Sequence, residues 1–219
     1  MSNQKKFAIV LSGCGVFDGS EIHEAVMTMY AITLNGCSYQ TFAPDIEQHH
    51  VINHTNGSTM DETRNVLIES ARISRGNIKA LKEFNAELFD AIIFPGGYGA
   101  AKNLSSWAFD GANGKVIPEV TKAIKDMHAL HKPIGALCIS PVVLAKVLGN
   151  VTITIGKDAA TSKSLESLGA KHLQTGHAQV VMDERNMLFS TPCYMLDATI
   201  VDIANGAKAI VVEMLKWMR

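Results

Sequence analysis

Surplus positive charge, paired cysteines and long apolar runs are all missing from this chain. Its 20 Lys and Arg are offset by 21 Asp and Glu, a formal net charge of −1. Nothing is left over to neutralise a phosphate backbone, which argues against a nucleic-acid partner. Only four cysteines occur (Cys14, Cys37, Cys138 and Cys193), none in a C-x-x-C spacing. Such scatter speaks for a reducing compartment and against a disulfide framework or a zinc site. No apolar run is long enough to span a bilayer, so no membrane partner is expected. Residues 1–6 also lack the apolar stretch and small-residue cleavage site of a signal peptide. These absences together predict a cytoplasmic protein. No linker, repeat or low-complexity segment interrupts the chain, so one domain over residues 1–219 is expected. What the chain does have is apolar residues, at 47 %, enough for one sizeable core.

Three short runs, residues 7–11, 91–94 and 132–137, are almost wholly apolar, as strands buried on both faces are. Between them lie helical patterns. One is predicted at residues 21–33, capped by Ser20 or Asp18, with Ile22, Val26, Met29 and Ile32 toward the core. Others are predicted at residues 61–75, 118–131, 141–148 and 162–168, and a last one at 196–217. Further strands are expected at residues 37–43, 78–81 and 151–155, with a hairpin formed by 178–182 and 187–190. This alternation predicts an α/β fold of three layers, a doubly wound, mostly parallel sheet with helices on both faces.

Sites in such sheets gather at the carboxyl ends of the strands. Three segments fall there: the glycine-rich loop at residues 12–20, the loop at residues 95–104 and the turn at Cys138. The first lacks the G-x-G-x-x-G spacing of a dinucleotide site, so no nucleotide cofactor is expected. Cys138 sits between a buried strand and a helix opened by Pro141, a position resembling a nucleophile elbow. Facing a helix N-terminus should lower its pKa and raise its thiolate fraction. A buried cysteine acting as a small hydrophobe is the plainer alternative. A thiolate there needs oxyanion donors and a proton shuttle. The amides of Ile139 and Gly97, with Gly96 beside them, are candidates for the first. Glu21, opening the first helix at the same sheet edge, is the candidate for the second, although a first-turn carboxylate also simply suits the dipole. His49, His50 and His54 lack a completing carboxylate or cysteine at metal spacing, so they read as a solvated loop and no metal is expected. Cys14, Asn103 and His177 are candidates for supporting positions around the site.

Residues 12–24, the Pro95–Gly96–Gly97 loop through Leu104, and Leu137–Cys138–Ile139–Ser140–Pro141 together resemble the ElbB family. Its members are called enhancing lycopene biosynthesis or sigma cross-reacting proteins. That family lies in the PfpI-like and Parkinsonism-associated deglycase branch of the class I glutamine amidotransferase-like superfamily. The resemblance implies a flavodoxin-like fold and a homodimer. It also implies Cys138 as nucleophile with Glu21 as its partner, and cofactor-independent glyoxalase chemistry on a small aldehyde substrate, glyoxal to glycolate. A link to isoprenoid metabolism follows from the family name. The chain departs from the protease-like relatives by having Ile139 where they place histidine after the cysteine. It has Gly156 where another superfamily histidine is expected, and no downstream His-x-Glu pair. Peptidase and amidotransfer activities are therefore not expected. A redox-sensing or regulatory protein using an oxidisable Cys138 is the competing reading.

Overall fold

The computed structural model describes residues 4–218. Strands β1 (Lys6–Val10), β4 (Ala91–Phe94) and β5 (Ile134–Leu137) are the apolar runs, almost completely buried. They are adjacent and parallel at the centre of the sheet. β2 (Ser38–Ala43) and β3 (Ile78–Ala80) extend it on one side. β9 (Leu188–Thr191) pairs parallel with β5, and β8 (Val181–Asp183) pairs antiparallel with β9. The full order is β3-β2-β1-β4-β5-β9-β8. The chain leaves β1 toward β2 and returns on β1's other side as β4, so a switch point falls between β1 and β4, where such sheets open a crevice. The fold is thus the expected three-layer flavodoxin-like α/β architecture.

Side chains alternate across the central strands and feed two cores. Ala8, Val10, Ile92, Phe94, Ile134 and Ala136 face one; Phe7, Ile9, Ile93 and Leu137 face the other. The second core is covered by α1 (Ile22–Leu34), α2 (Val66–Ile73) and α8 (Ile200–Lys216). The first is covered by α5 (Pro118–Ala129) and α6 (Pro141–Leu148), with the short α3 (Tyr98–Lys102) and α4 (Trp107–Asp110) beside them. Among the described residues no helix is long and apolar enough to cross a membrane.

Several local expectations are corrected. α2 begins at Asn65, whose side chain accepts from the Ile68 N–H at 3.0 Å, and not at residue 61. The preceding residues are drawn into extended pairing instead, Gln48 N–H to the Arg64 carbonyl and Val66 N–H to that of Ile46. The strand expected at residues 151–155 shrinks to β6 (Thr152–Ile153), which pairs with β7 (Lys171–His172) in a separate two-stranded sheet. α7 (Ala159–Glu166) starts three residues earlier than the pattern predicts because Asp158 caps it, accepting from Thr161 N–H at 2.7 Å. In α1, Met29 and Ile32 face the core as expected, but Ile22 and Val26 are about 40 % exposed. Glu24, Ala25 and Thr28 are buried in their place. The helix is therefore rotated so that a carboxyl points inward.

Candidate active site

β5 ends at Leu137, and the chain turns sharply at Cys138 with φ 59°. A β-carbon disfavours this left-handed region, and a residue held there stores about 1–3 kcal/mol. The surroundings enforce it. Cys138 N–H donates to the Thr191 carbonyl at 3.0 Å, and Ser140 Oγ donates to the Pro95 carbonyl at 2.7 Å. Pro141 then opens α6 with its fixed φ. The elbow read from the sequence is present, and it presents the sulfur to the loops that follow β1 and β4.

The carboxyl at the sulfur belongs to Glu24 and not to Glu21. Glu24 is fully buried and is hydrogen-bonded to the Cys138 thiol. Its Oε2 accepts from the Gly96 N–H at 2.8 Å and its Oε1 from the Tyr194 N–H at 3.2 Å. Glu21 is the N-cap of α1, and its Oε2 accepts from the Glu24 N–H at 2.7 Å. A cap side chain folds back onto the free amides of its own helix. The residue one turn further in is the one aimed at the sheet edge. The signal lay in the phase of α1: with Ala25, Thr28 and Ile32 inward, residue 24 faces the site.

Burial, and then the charge of Glu21, push the Glu24 carboxyl up to about 8. Burial also drives the Cys138 thiol well above its ordinary value, with Glu24 the next cause. The amides of Gly97 and Ile139 donate to the sulfur and pull the other way. The lowered thiol pKa expected from the helix N-terminus is therefore reversed: desolvation in a closed site outweighs the end of one short helix. Two groups that each resist ionisation are held in one hydrogen bond. Loss of a single proton leaves one proton shared between oxygen and sulfur, with the negative charge met by four backbone N–H groups.

Gly96 and Gly97 are where expected, and each has a steric reason to be glycine. A Cβ on Gly96 would lie 2.5 Å from Glu24 Oε2 and 2.9 Å from Cys138 Sγ. Gly97 has φ 95°, and a Cβ there would meet the backbone of Ser20 at 2.8 Å. Gly96 also accepts from the Glu21 N–H at 2.9 Å, tying the loop after β4 to the start of α1.

The three expected supporting residues do not reach the thiol. Buried Asn103 is a clamp: its Nδ2 donates to the carbonyls of Ser12 and Asp18 at 2.9 and 2.8 Å, and its Oδ1 accepts from His49 N–H at 3.0 Å. Cys14 is half-buried on that same loop, paired with Ser20, its thiol raised by burial and then by Glu69. His177 is exposed, and its charge acts on Asp202 at the start of α8. The histidines of the 46–60 segment serve as fasteners. His54 Nε2 accepts from Phe17 N–H at 3.2 Å, and the His49 ring lies on Phe109 with centroids 4.1 Å apart. Among the described residues no cluster of metal-ligating side chains occurs.

Above the elbow lies a cavity of about 400 Å³, lined by Cys138, Ile139, Gly97, Tyr98, Trp107, Tyr194, Met195, Val16, Ala101, Ala108, Asp158 and Thr161. Tyr194 links this wall to the outside: its hydroxyl lies 2.8 Å from Nδ1 of His23, which sits 3.9 Å from Glu21 Oε1. The aromatic wall was not legible in the sequence, because α4, α7 and the turn after β9 meet only in three dimensions.

The family model described as DJ-1/PfpI matches residues 14–197. The rat "ES1 protein homolog, mitochondrial" is 44 % identical, the alignment covering 96 % of this chain and 83 % of the relative. The human "Glutamine amidotransferase-like class 1 domain-containing protein 3, mitochondrial" is also 44 % identical, over 96 % and 82 %. The crystal structure of an isoprenoid biosynthesis protein with an amidotransferase-like domain from Ehrlichia chaffeensis superposes with a TM-score of 0.92 at 34 % identity, covering 98 % of this chain and all of that one. Drosophila melanogaster DJ-1beta shares the fold at a TM-score of 0.57 and 15 % identity, over 97 % of this chain and 91 % of that one. The mitochondrial names overturn the expectation of a cytoplasmic protein. Scattered free cysteines report a reducing setting, and several compartments provide one.

Proposed function

The chain belongs to the DJ-1/PfpI family, and on that premise we propose that it is a cofactor-independent, glyoxalase-like enzyme converting glyoxal and related 2-oxoaldehydes to 2-hydroxy acids. The observation that carries this reading is the single hydrogen bond between the buried Glu24 carboxyl and the Cys138 thiol at the floor of a cavity. A mitochondrial setting belongs to the reading, supported by the names of the relatives.

Once the pair has lost one proton, the proton it keeps is shared, and attack draws on the form in which Glu24 holds that proton and the sulfur is the thiolate. The thiolate adds to an aldehyde carbon, forming the C–S bond of a hemithioacetal, and Glu24 gives its proton to the new alkoxide. The amides of Gly97 and Ile139 already point at the sulfur, so they lie close to an oxygen on the adjoining carbon. The Glu24 carboxylate then takes the proton from the hemithioacetal carbon and returns it to the neighbouring carbon through an enediol. The product is a thioester of the 2-hydroxy acid. Water cleaves it, restoring the thiol, so the sum is aldehyde plus water to hydroxy acid with no external oxidant or reductant. Glu21 touches neither reactant: it holds Glu24 in place and raises its pKa.

Turnover of glyoxal by purified protein, followed as glycolate, tests the reading. Cys138→Ser should abolish it, and Glu24→Gln should lower kcat by about 10²–10⁴-fold. Full activity in Cys138→Ser would end the proposal.

A further inference from the structure

The cavity is far larger than the smallest dialdehyde needs. At about 400 Å³ it falls in the range of about 300–1,000 Å³ typical of pockets for sizeable organic ligands. Its walls are apolar and aromatic: Trp107, Tyr98, Tyr194 and Met195 stand around the opening above Cys138, with Ala101 and Ala108 leaving the space between them. Trp107 is 9 % exposed and Tyr98 51 %, so Trp107 belongs to the depth of the cavity and Tyr98 to a mouth open to solvent. Among the described residues no Lys, Arg or His lines it. Among the described residues the one carboxylate in the wall is Asp158, at the exposed rim, accepting from the Thr161 N–H at 2.7 Å as the cap of α7. A negative group on a ligand would meet that carboxylate and find no cation in the wall.

We infer that the cavity is built for a 2-oxoaldehyde whose side group is uncharged and of aromatic size, in preference to glyoxal and to aldehydes carrying a carboxylate. The inference rests on the catalytic reading above and names its substrate class. The reacting aldehyde sits on Cys138, and the side group extends between Trp107 and Tyr194. There it displaces water that the apolar walls hold weakly.

The test compares kcat/KM for glyoxal, methylglyoxal, phenylglyoxal and 4-carboxyphenylglyoxal. Because a single methylene in an apolar pocket already gives about tenfold discrimination or more, phenylglyoxal should exceed glyoxal by about a hundredfold. It should also exceed its carboxylated analogue by at least about tenfold. Ala108→Leu narrows the mouth from an exposed position and should reduce the phenylglyoxal-to-glyoxal ratio by about tenfold. Asp158→Asn keeps a good helix cap and should raise the ratio of carboxylated to plain phenylglyoxal by about fivefold. Equilibrium binding of 2-hydroxyacetophenone and hydroxyacetone to Cys138→Ser protein separates ligand class from catalysis. Tighter binding of the aromatic compound by about tenfold supports the inference. If wild-type protein then turns over no aldehyde at all, the ligand class stands and the catalytic reading falls. Equal binding of the two, or a glyoxal preference in turnover, overturns the inference.

Discussion

Cys138, Glu24 and Gly96 are placed by contacts too tight to admit another atom. Gly96 donates its N–H to Glu24 and lies against Cys138, so the hydrogen-bonded pair is held with the loop after β4 as its third side. Gly96→Ala would force a methyl group between carboxyl and sulfur. Turnover should fall by at least about a hundredfold through misplacement alone. The thermal midpoint should fall by several degrees, at about 2–4 °C per kcal/mol for a chain of this size. A variant retaining wild-type kcat would show that the pair need not touch. At this scale the sequence was partly legible. Cys138, Gly96, Gly97 and Ile139 stand out because strand, proline and glycine signals are local. Glu24 does not, because two glutamates one turn apart look alike until the helix's rotation is known.

That rotation belongs to the element scale. α1 carries Ile22, Val26, Tyr30 and Leu34 along one exposed side, and its inward side holds Ala25, Thr28, Met29, Ile32 and Glu24. Apolar periodicity alone therefore chose a partly wrong face: packing against α8 and the sheet favours small residues that let the helices approach. Glu21 caps this helix and faces Glu24 electrostatically. Glu21→Gln keeps an acceptor for the Glu24 N–H while removing the charge that helps raise Glu24. The pH at which the Glu24–Cys138 pair gives up its first proton, followed as the onset of Cys138 alkylation by iodoacetamide, should move lower in this variant, because the charge that helps raise Glu24 is gone. An unchanged or higher midpoint would separate the two glutamates. Other element boundaries, such as the late start of α2 and the short β6, were set by neighbours that no local pattern announces.

Across the whole molecule, a buried acid makes stability depend on pH. In the folded chain Glu24 keeps its proton up to about 8, whereas its ordinary value is 4.5. Between these values the folded state binds the extra proton, so stability falls as pH rises through that window. The Cys138 thiol, raised above 9.0 by burial and Glu24, continues the same trend on the alkaline side. Urea unfolding followed from pH 5 to pH 8 should show this decline, and Glu24→Gln should flatten it; a wild-type curve rising over the range would contradict the burial of a protonated carboxyl. The sequence by itself determined the mostly parallel α/β sheet, which apolar runs are its buried strands, and which sulfur stands at the elbow, because strand burial, helix starts and tight turns are written in neighbouring residues. Tertiary structure alone decided which glutamate meets that sulfur, the upward direction of its pKa and the aromatic walls above it. Those depend on helix rotation, desolvation and the meeting of segments far apart in the chain, none of which a local pattern encodes.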